Sequence, residues 1–176
     1  MSAWMFRVGD KVVYPNHGVG VIEQISSRGS GGGIQQFYLL KIEASNLRVM
    51  VPLGNVDCVG MRPVAKPGDV ARILHYLQGG ECHAATDWKG RFKENSDKMR
   101  TGSILLVAEV LKSLLQLHRV KPLSFREKKM LDRAVALLID EIATVQCIEP
   151  EAAMLQIRRH LDKAHLDLPN AETADA

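Results

Sequence analysis

The chain has 176 residues, 46% of them hydrophobic and 24% charged. That is enough for one large domain or two small ones with real cores, and it excludes a chain that is disordered throughout. With 23 Lys+Arg against 20 Asp+Glu, the net charge of +3 does not by itself argue for a polyanionic partner. No apolar run approaches the roughly 18 residues of a membrane span, and Met1–Asp10 lacks the apolar core of a signal peptide. Three widely spaced cysteines, Cys58, Cys82 and Cys147, form neither a disulfide framework nor a CxxC zinc pair. A cytoplasmic protein with reduced, buried thiols is expected.

Up to about residue 65 the sequence consists of short β-branched runs separated by turn residues: Lys11–Tyr14, Gly20–Ile22, Phe37–Ile42 and Leu47–Val51. Their spacing predicts a small, strongly bent barrel. Gly9-Asp10 and Asn16-His17-Gly18 are turn signals, and Arg28–Gly33 predicts a long, flexible hairpin tip. That glycine run lacks the Lys-Ser/Thr of a P-loop and opens no helix, so it frees the backbone rather than cradling phosphate.

After Pro67 the pattern becomes helical, with short helices predicted at about 68–78 and 87–100. Ser103 then precedes Ile104, Val107, Ala108, Leu111, Leu114 and Leu115, an apolar stripe that must be buried against other helices. Ser124 with Glu127 is a capping box, followed by Leu131, Ala134, Leu138, Ile142 and Val145 as a second stripe. Ala152, Leu155, Ile157 and Leu161 suggest one more amphipathic helix at about 150–165, and Pro169–Ala176 reads as a disordered tail. The fold class is therefore α+β in two domains: residues 1–65, a small β-barrel, and residues 66–148, a compact all-α bundle. Residues 149–176 add an extra helix and an acidic tail.

Charge is distributed unevenly. Trp88–Arg133 holds 12 basic against 5 acidic side chains, an electrostatic footprint for a polyanion inside a near-neutral chain. Arg126, Lys128, Lys129 and Arg133 fall in the first turns of the helix that Ser124 caps, where cations oppose the helix dipole; a phosphate partner would account for them, and so would a solvated face. In Asp87–Lys93, Trp88 and Phe92 are helix neighbours interleaved with Lys89, Arg91 and Lys93. Such a pattern suits nucleic acid, with cations on phosphates and a ring stacked on bases, but the aromatic spacing also fits a helical core. His75, Cys82 and His83 match no standard zinc spacing, and no hydrolase, metalloprotease or Walker motif is present, so neither catalysis nor a metal is expected.

Two stretches carry a family resemblance. Phe6–Gly20, Phe37–Ile42 and Arg48–Pro52 resemble the polymerase-interacting domain of the CarD/CdnL transcription regulators, a Tudor-like barrel also found in transcription-repair coupling factor. Asp87-Trp88, Arg91–Lys93, Gly102-Ser103, Ala108–Val110 and Leu123–Leu131 resemble the DNA-binding domain of the same family, so that about residues 5–148 are covered in family order. The resemblance implies a monomeric, non-enzymatic regulator without cofactors that docks on the RNA polymerase β subunit by adding an edge strand. It further implies contact with promoter DNA, through the minor groove and phosphate backbone, at the upstream edge of the melted bubble. Carried over by position, docking falls to Arg28, Arg48, Met50 and Pro52. DNA contact falls to Trp88 as a wedge, with Arg91, Lys93, Arg126, Lys128 and Lys129 on phosphates. Some members have Arg where this chain has Met50, which favours an apolar contact there, and Gly90 stands where some carry a second arginine. The alternative is a polymerase-binding adaptor whose helical domain recruits a protein instead of DNA.

Overall fold

The first half forms five antiparallel strands: β1 (Lys11–Tyr14), β2 (Gly18–Ser30), β3 (Gly33–Ile42), whose inner part alternates between buried and half-buried residues, β4 (Arg48–Pro52) and β5 (Arg62–Pro63). They are seen in a computed structural model that describes residues 5–79 and 87–169. The strand order is β4-β3-β2-β1-β5. One face buries Val12, Ile22, Tyr38, Leu40, Ile42 and Val51, closed at one end by Phe6, whose ring meets Tyr38 edge-on at 5.9 Å and whose N–H donates to the Tyr38 hydroxyl at 3.1 Å.

In place of the expected small, strongly bent barrel, the strands form a sheet that does not close, with β4 and β5 as its edges. The central hairpin is longer than the sequence runs suggest. The β2–β3 pairing continues from Gly20 opposite Ile42 out to Ser30 opposite Gly33, with one irregularity between Ile22 and Gln24. The predicted long, flexible tip is thus a two-residue turn, Gly31-Gly32, on a paired arm. Glycine permits the turn, and backbone pairing does not require apolar side chains.

The second half contains, after a short α1 (Val56–Val59) in the crossing from β4 to β5, five helices: α2 (Pro67–Gly79), α3 (Trp88–Arg100), α4 (Ile104–Val120), α5 (Phe125–Gln146) and α6 (Pro150–Lys163). The whole predicted α4 stripe is buried, and on α5 Leu131, Ala134, Leu138 and Ile142 face it. Helix α6 completes this core instead of extending it: Ala153, Ile157 and Leu161 are buried at i, i+4, i+8, and α6 packs on α2 and α5. Leu155 and Ala152, expected on the buried side, are exposed because that four-residue stripe excludes them. The tail beyond Pro169 and the segment holding Cys82 and His83 lie outside the described residues. Cys58 and Cys147 are exposed, contrary to the expected burial; Cys147 takes the left-handed position that ends α5, which turns it off the bundle.

Sheet and bundle meet around a small cavity lined by Val13, Val19, Met99, Ile104 and Leu137, and polar groups bridge them beside it. Glu141 of α5 is buried and accepts Arg62 Nη1 at 2.6 Å and Nη2 at 2.9 Å. The same guanidinium reaches Gly102 O from Nε (2.8 Å) and Nη2 (2.5 Å) and Pro63 O from Nη1 (2.9 Å), while Ala65 N–H donates to Glu141 at 2.8 Å. One residue earlier on α5, Asp140 accepts Val19 N–H at 2.7 Å. Two glycines permit this closeness. At Gly18 (φ +96) a Cβ would collide with the Asp140 carboxylate, and at Gly102 (φ +74) one would lie 2.9 Å from Pro15 Cγ.

Burial raises the Asp140 carboxyl above the usual aspartate range; the Val19 N–H opposes this and the neighbouring Glu43 and Glu141 add to it. A raised folded-state value means that its contribution to stability is present below the ordinary aspartate range and is lost as pH rises through the raised one. Asp140→Asn keeps an acceptor for Val19 and removes the charge. Thermal melting across mildly acid to neutral pH is expected to show a flatter pH profile for the variant, with stability at pH 7 no more than about 1 kcal/mol below wild type.

Candidate nucleic-acid interface and docking edge

Helix α3 begins at Asp87, whose side chain accepts the Gly90 N–H at 2.5 Å as N-cap, so Trp88 is the first helical residue. The buried stripe of α3 is Arg91, Asn95 and Met99, and Trp88 lies outside it, 49% exposed. Phe92 is half-buried, and Lys89 and Lys93 are exposed on the side away from the bundle. Trp88 therefore presents its ring to solvent, whereas Phe92 is only half exposed.

Helix α5 begins beside it. Ser124 Oγ accepts Glu127 N–H at 3.3 Å and Ser124 N–H donates to Glu127 Oε2 at 2.8 Å, completing the expected capping box. Arg126, Lys128, Lys129 and Arg133 are all exposed. Trp88, Lys121, Pro122, Leu123, Ser124 and Glu127 line one shallow depression, so the fold brings the tryptophan against the start of the cationic helix. Phe125, not singled out from the sequence, is 70% exposed with Lys129 Nζ 4.5 Å from its ring centre. Its only sequence signal is an aromatic residue set between a cap and a run of cations.

Arg91 is corrected. Its side chain is buried, and its guanidinium faces Glu127 at 3.8 Å instead of lying on the surface where a phosphate would sit. The reason is geometric: Arg91 is one turn past the cap, on the same face as Asn95 and Met99. Glu127 thus caps α5 and pairs with α3. Burial pushes its carboxyl up, but the Ser124 backbone and hydroxyl, then Arg91 and Lys121, more than offset this, and the carboxyl ends below the usual glutamate range.

At one edge of the sheet, β4 pairs with β3 on one side only. Val51 points into the core, while Met50 is 39% exposed, opposite Leu39 in register, with Pro52 opposite Phe37 beside them. Both β3 residues are partly buried, so the outer face of this edge is apolar. Arg48 is exposed and its Nε donates to Glu23 Oε2 at 2.9 Å, a hydrogen bond that holds the Glu23 carboxyl below its usual range. Arg28 is exposed on β2 opposite Gln35, beyond the end of β4 on the projecting arm. Among the described residues, no group of three or more His, Cys, Asp or Glu is placed to hold a metal, and no helix is long and apolar enough to cross a membrane.

The family model "CarD-like/TRCF RID domain" matches residues 6–65, and "CarD, C-terminal domain" matches residues 72–158. A protein of Bacillus subtilis (strain 168) described as "Putative transcription factor YdeB" is 39% identical over 144 residues, covering 82% of this chain and 94% of the relative. The chain belongs to the CarD-like family of transcription regulators. That family is not an enzyme class. The match also reaches Arg158, well into α6, so the resemblance does not stop at 148 as the sequence motifs suggested.

Glu127→Ala would remove both the cap partner and the carboxylate facing a buried guanidinium, and is expected to cost about 3–5 kcal/mol in thermal or urea unfolding. Because the folded-state carboxyl is lowered, the contribution of Glu127 is present above the ordinary glutamate range and disappears as pH falls through the lowered value. Glu127→Gln should therefore differ from wild type at neutral pH and approach it in acid.

Proposed function

We propose that the protein is a transcription regulator that docks as a monomer on the β subunit of RNA polymerase through residues 1–65 and stabilises the open promoter complex through its helical half. The observation that carries this reading is the exposed Trp88 set beside the cationic start of α5. The edge strand suits docking: alternate N–H and C=O groups of β4 are available to a further strand, and Met50 with its apolar neighbours supplies side-chain contact. Arg48 already has Glu23 as partner, so on this reading the docking contact is carried by Met50 and Pro52, with Arg28 on the arm.

On the DNA side, Arg126, Lys128, Lys129 and Lys93 are exposed and suited to phosphates at the upstream edge of the bubble. Arg91 holds α3 against α5 instead. Trp88 inserts in the minor groove where bases are already unstacked, and so gains contact without the few kcal/mol that unstacking costs. A factor that contacts the melted complex better than the closed one shifts the equilibrium by its differential affinity, about tenfold for each ~1.4 kcal/mol. Its own affinity for DNA can stay weak, because anchoring on polymerase raises the effective concentration. A net charge of +3 is then sufficient.

Two variants test the two ends separately. Met50→Asp places a charge on the apolar docking edge and is expected to abolish polymerase binding while leaving thermal stability near wild type; undiminished pull-down of polymerase would remove β4 from the interface.

Trp88→Ala, at a half-exposed position, is expected to cost under about 1 kcal/mol in melting, to retain polymerase binding, and to shorten the open-complex lifetime several-fold, with Trp88→Phe recovering part of it. An unchanged lifetime in a folded variant would show that the tryptophan does not act as a wedge. Polymerase binding without any protection of promoter DNA would instead favour a helical half that recruits a protein.

A further inference from the structure

We infer that Arg62 and Glu141 are positioning residues: their forked pair fixes the spacing between the β4 docking edge and Trp88, so that the protein acts as a rigid spacer and not as two modules on a flexible tether. This rests on the function proposed above. The observation is the completeness of the junction. All five N–H groups of Arg62 are used: two bonds to Glu141, two to Gly102 O and one to Pro63 O. The groups it gathers come from both sides. Arg62 and Pro63 belong to the last strand of the sheet, Gly102 to the turn between α3 and α4, and Glu141 to the middle of α5.

The placement of these groups matters more than their number. Gly102 O follows directly on α3, the helix that carries Trp88, and Glu141 lies on α5, the helix that carries Arg126 and Lys129. One guanidinium therefore holds both DNA-facing helices in register with the sheet. The peptide that links the two halves is itself tied in, since Ala65 N–H donates to Glu141 at 2.8 Å. Val19 N–H on Asp140 and the packing of Pro15 against Gly60 and Gly102 add contacts from the β1–β2 side, so relative rotation of the halves is opposed at two places.

A planar fork specifies direction as well as distance, which an ammonium or an apolar contact does not. A flexible tether would give Trp88 a high effective concentration over a wide volume, whereas a fixed spacing concentrates it at one base-pair step measured from the docking site. The orientational cost is then met when the chain folds and not again at each promoter.

The exposed Cys58 and Cys147 provide the test, since one lies in α1 of the sheet half and the other at the end of α5. In a Cys82→Ser background, nitroxides on these two native cysteines report the inter-half distance by pulsed electron resonance, and open-complex lifetime with RNA polymerase is measured on the same full-length preparations. The unsubstituted junction is expected to give one narrow distance. Arg62→Lys, which keeps the charge and loses the fork, and Glu141→Gln, which keeps an acceptor and loses the charge, are expected to broaden it. Both should bind polymerase as wild type does yet shorten the lifetime by about tenfold. Should Glu141→Gln fail to fold, Arg62→Lys decides alone.

A broad distribution with the junction intact overturns the inference, as does a broadened variant with the wild-type lifetime at a temperature where it is folded. A shortened lifetime with a distance still narrow also overturns it, since the loss would then arise at the DNA-facing site itself. If the wild type does not lengthen the lifetime at all, the functional reading fails, and the distance measurement separates that failure from loss of the fixed spacing.

Discussion

The end of the molecule that carries Trp88 and the start of α5 depends on one buried carboxylate. Glu127 accepts the Ser124 N–H, so that α5 starts where it does, and it faces the buried Arg91, so that α3 lies where it does. A negative charge taken out of water needs several compensating partners at once, and these are supplied from a loop, a helix start and a neighbouring helix. Trp88 and the cations of α5 are surface residues with little packing of their own. Their mutual arrangement is inherited from what lies beneath them.

The same principle recurs between the two cores. The sheet core and the helical core are each apolar, and at their junction apolar side chains such as Val13, Val19, Ile104 and Leu137 are joined by the directional bonds of Arg62, Glu141 and Asp140. An apolar junction of similar area could hold the halves together while tolerating small slides, because hydrophobic contact has no direction. Hydrogen bonds to named carbonyls tolerate much less. The small residues Gly18 and Gly102 are needed for the same reason: polar groups satisfy one another only at close range.

Much of this was legible in the sequence, and what was not has a physical explanation. The capping box at Ser124 and the stripe of α4 are local or periodic signals, and they located the helices closely. The two modules and their order could be read from the motifs flanking Gly18 and Trp88. Strand ends in the β2–β3 arm could not, because there the backbone pairs without apolar side chains to mark it. Arg91 looked like its neighbours Lys89 and Lys93; only the phase of the helix, set by the cap at Asp87, separates a buried cation from exposed ones. Arg62 and Glu141 gave no signal, since they are 79 residues apart and each is commonplace alone. Their pairing is a property of the assembled fold. The role of Trp88 was open for a related reason, since an aromatic residue at helical spacing reads alike whether its partner is another helix or a ligand.

The unpaired edge of β4 has a consequence that does not depend on any partner. An apolar strand edge is as good a template for another copy of the same chain as for an intended partner, and globular proteins usually cover such edges, bend them or charge them. Here the strand is only five residues long, it opens with Arg48 tied to Glu23, and it closes with Pro52, which has no N–H to offer. Only Met50 and its immediate neighbours remain as an apolar window between a charge and an imino acid. The chain therefore has a narrow tolerance at this edge. Enlarging the window would increase stickiness towards any β-edge, including those exposed by misfolded neighbours, and the short frame of Arg48 and Pro52 around Met50 limits how much of the edge another strand can pair with.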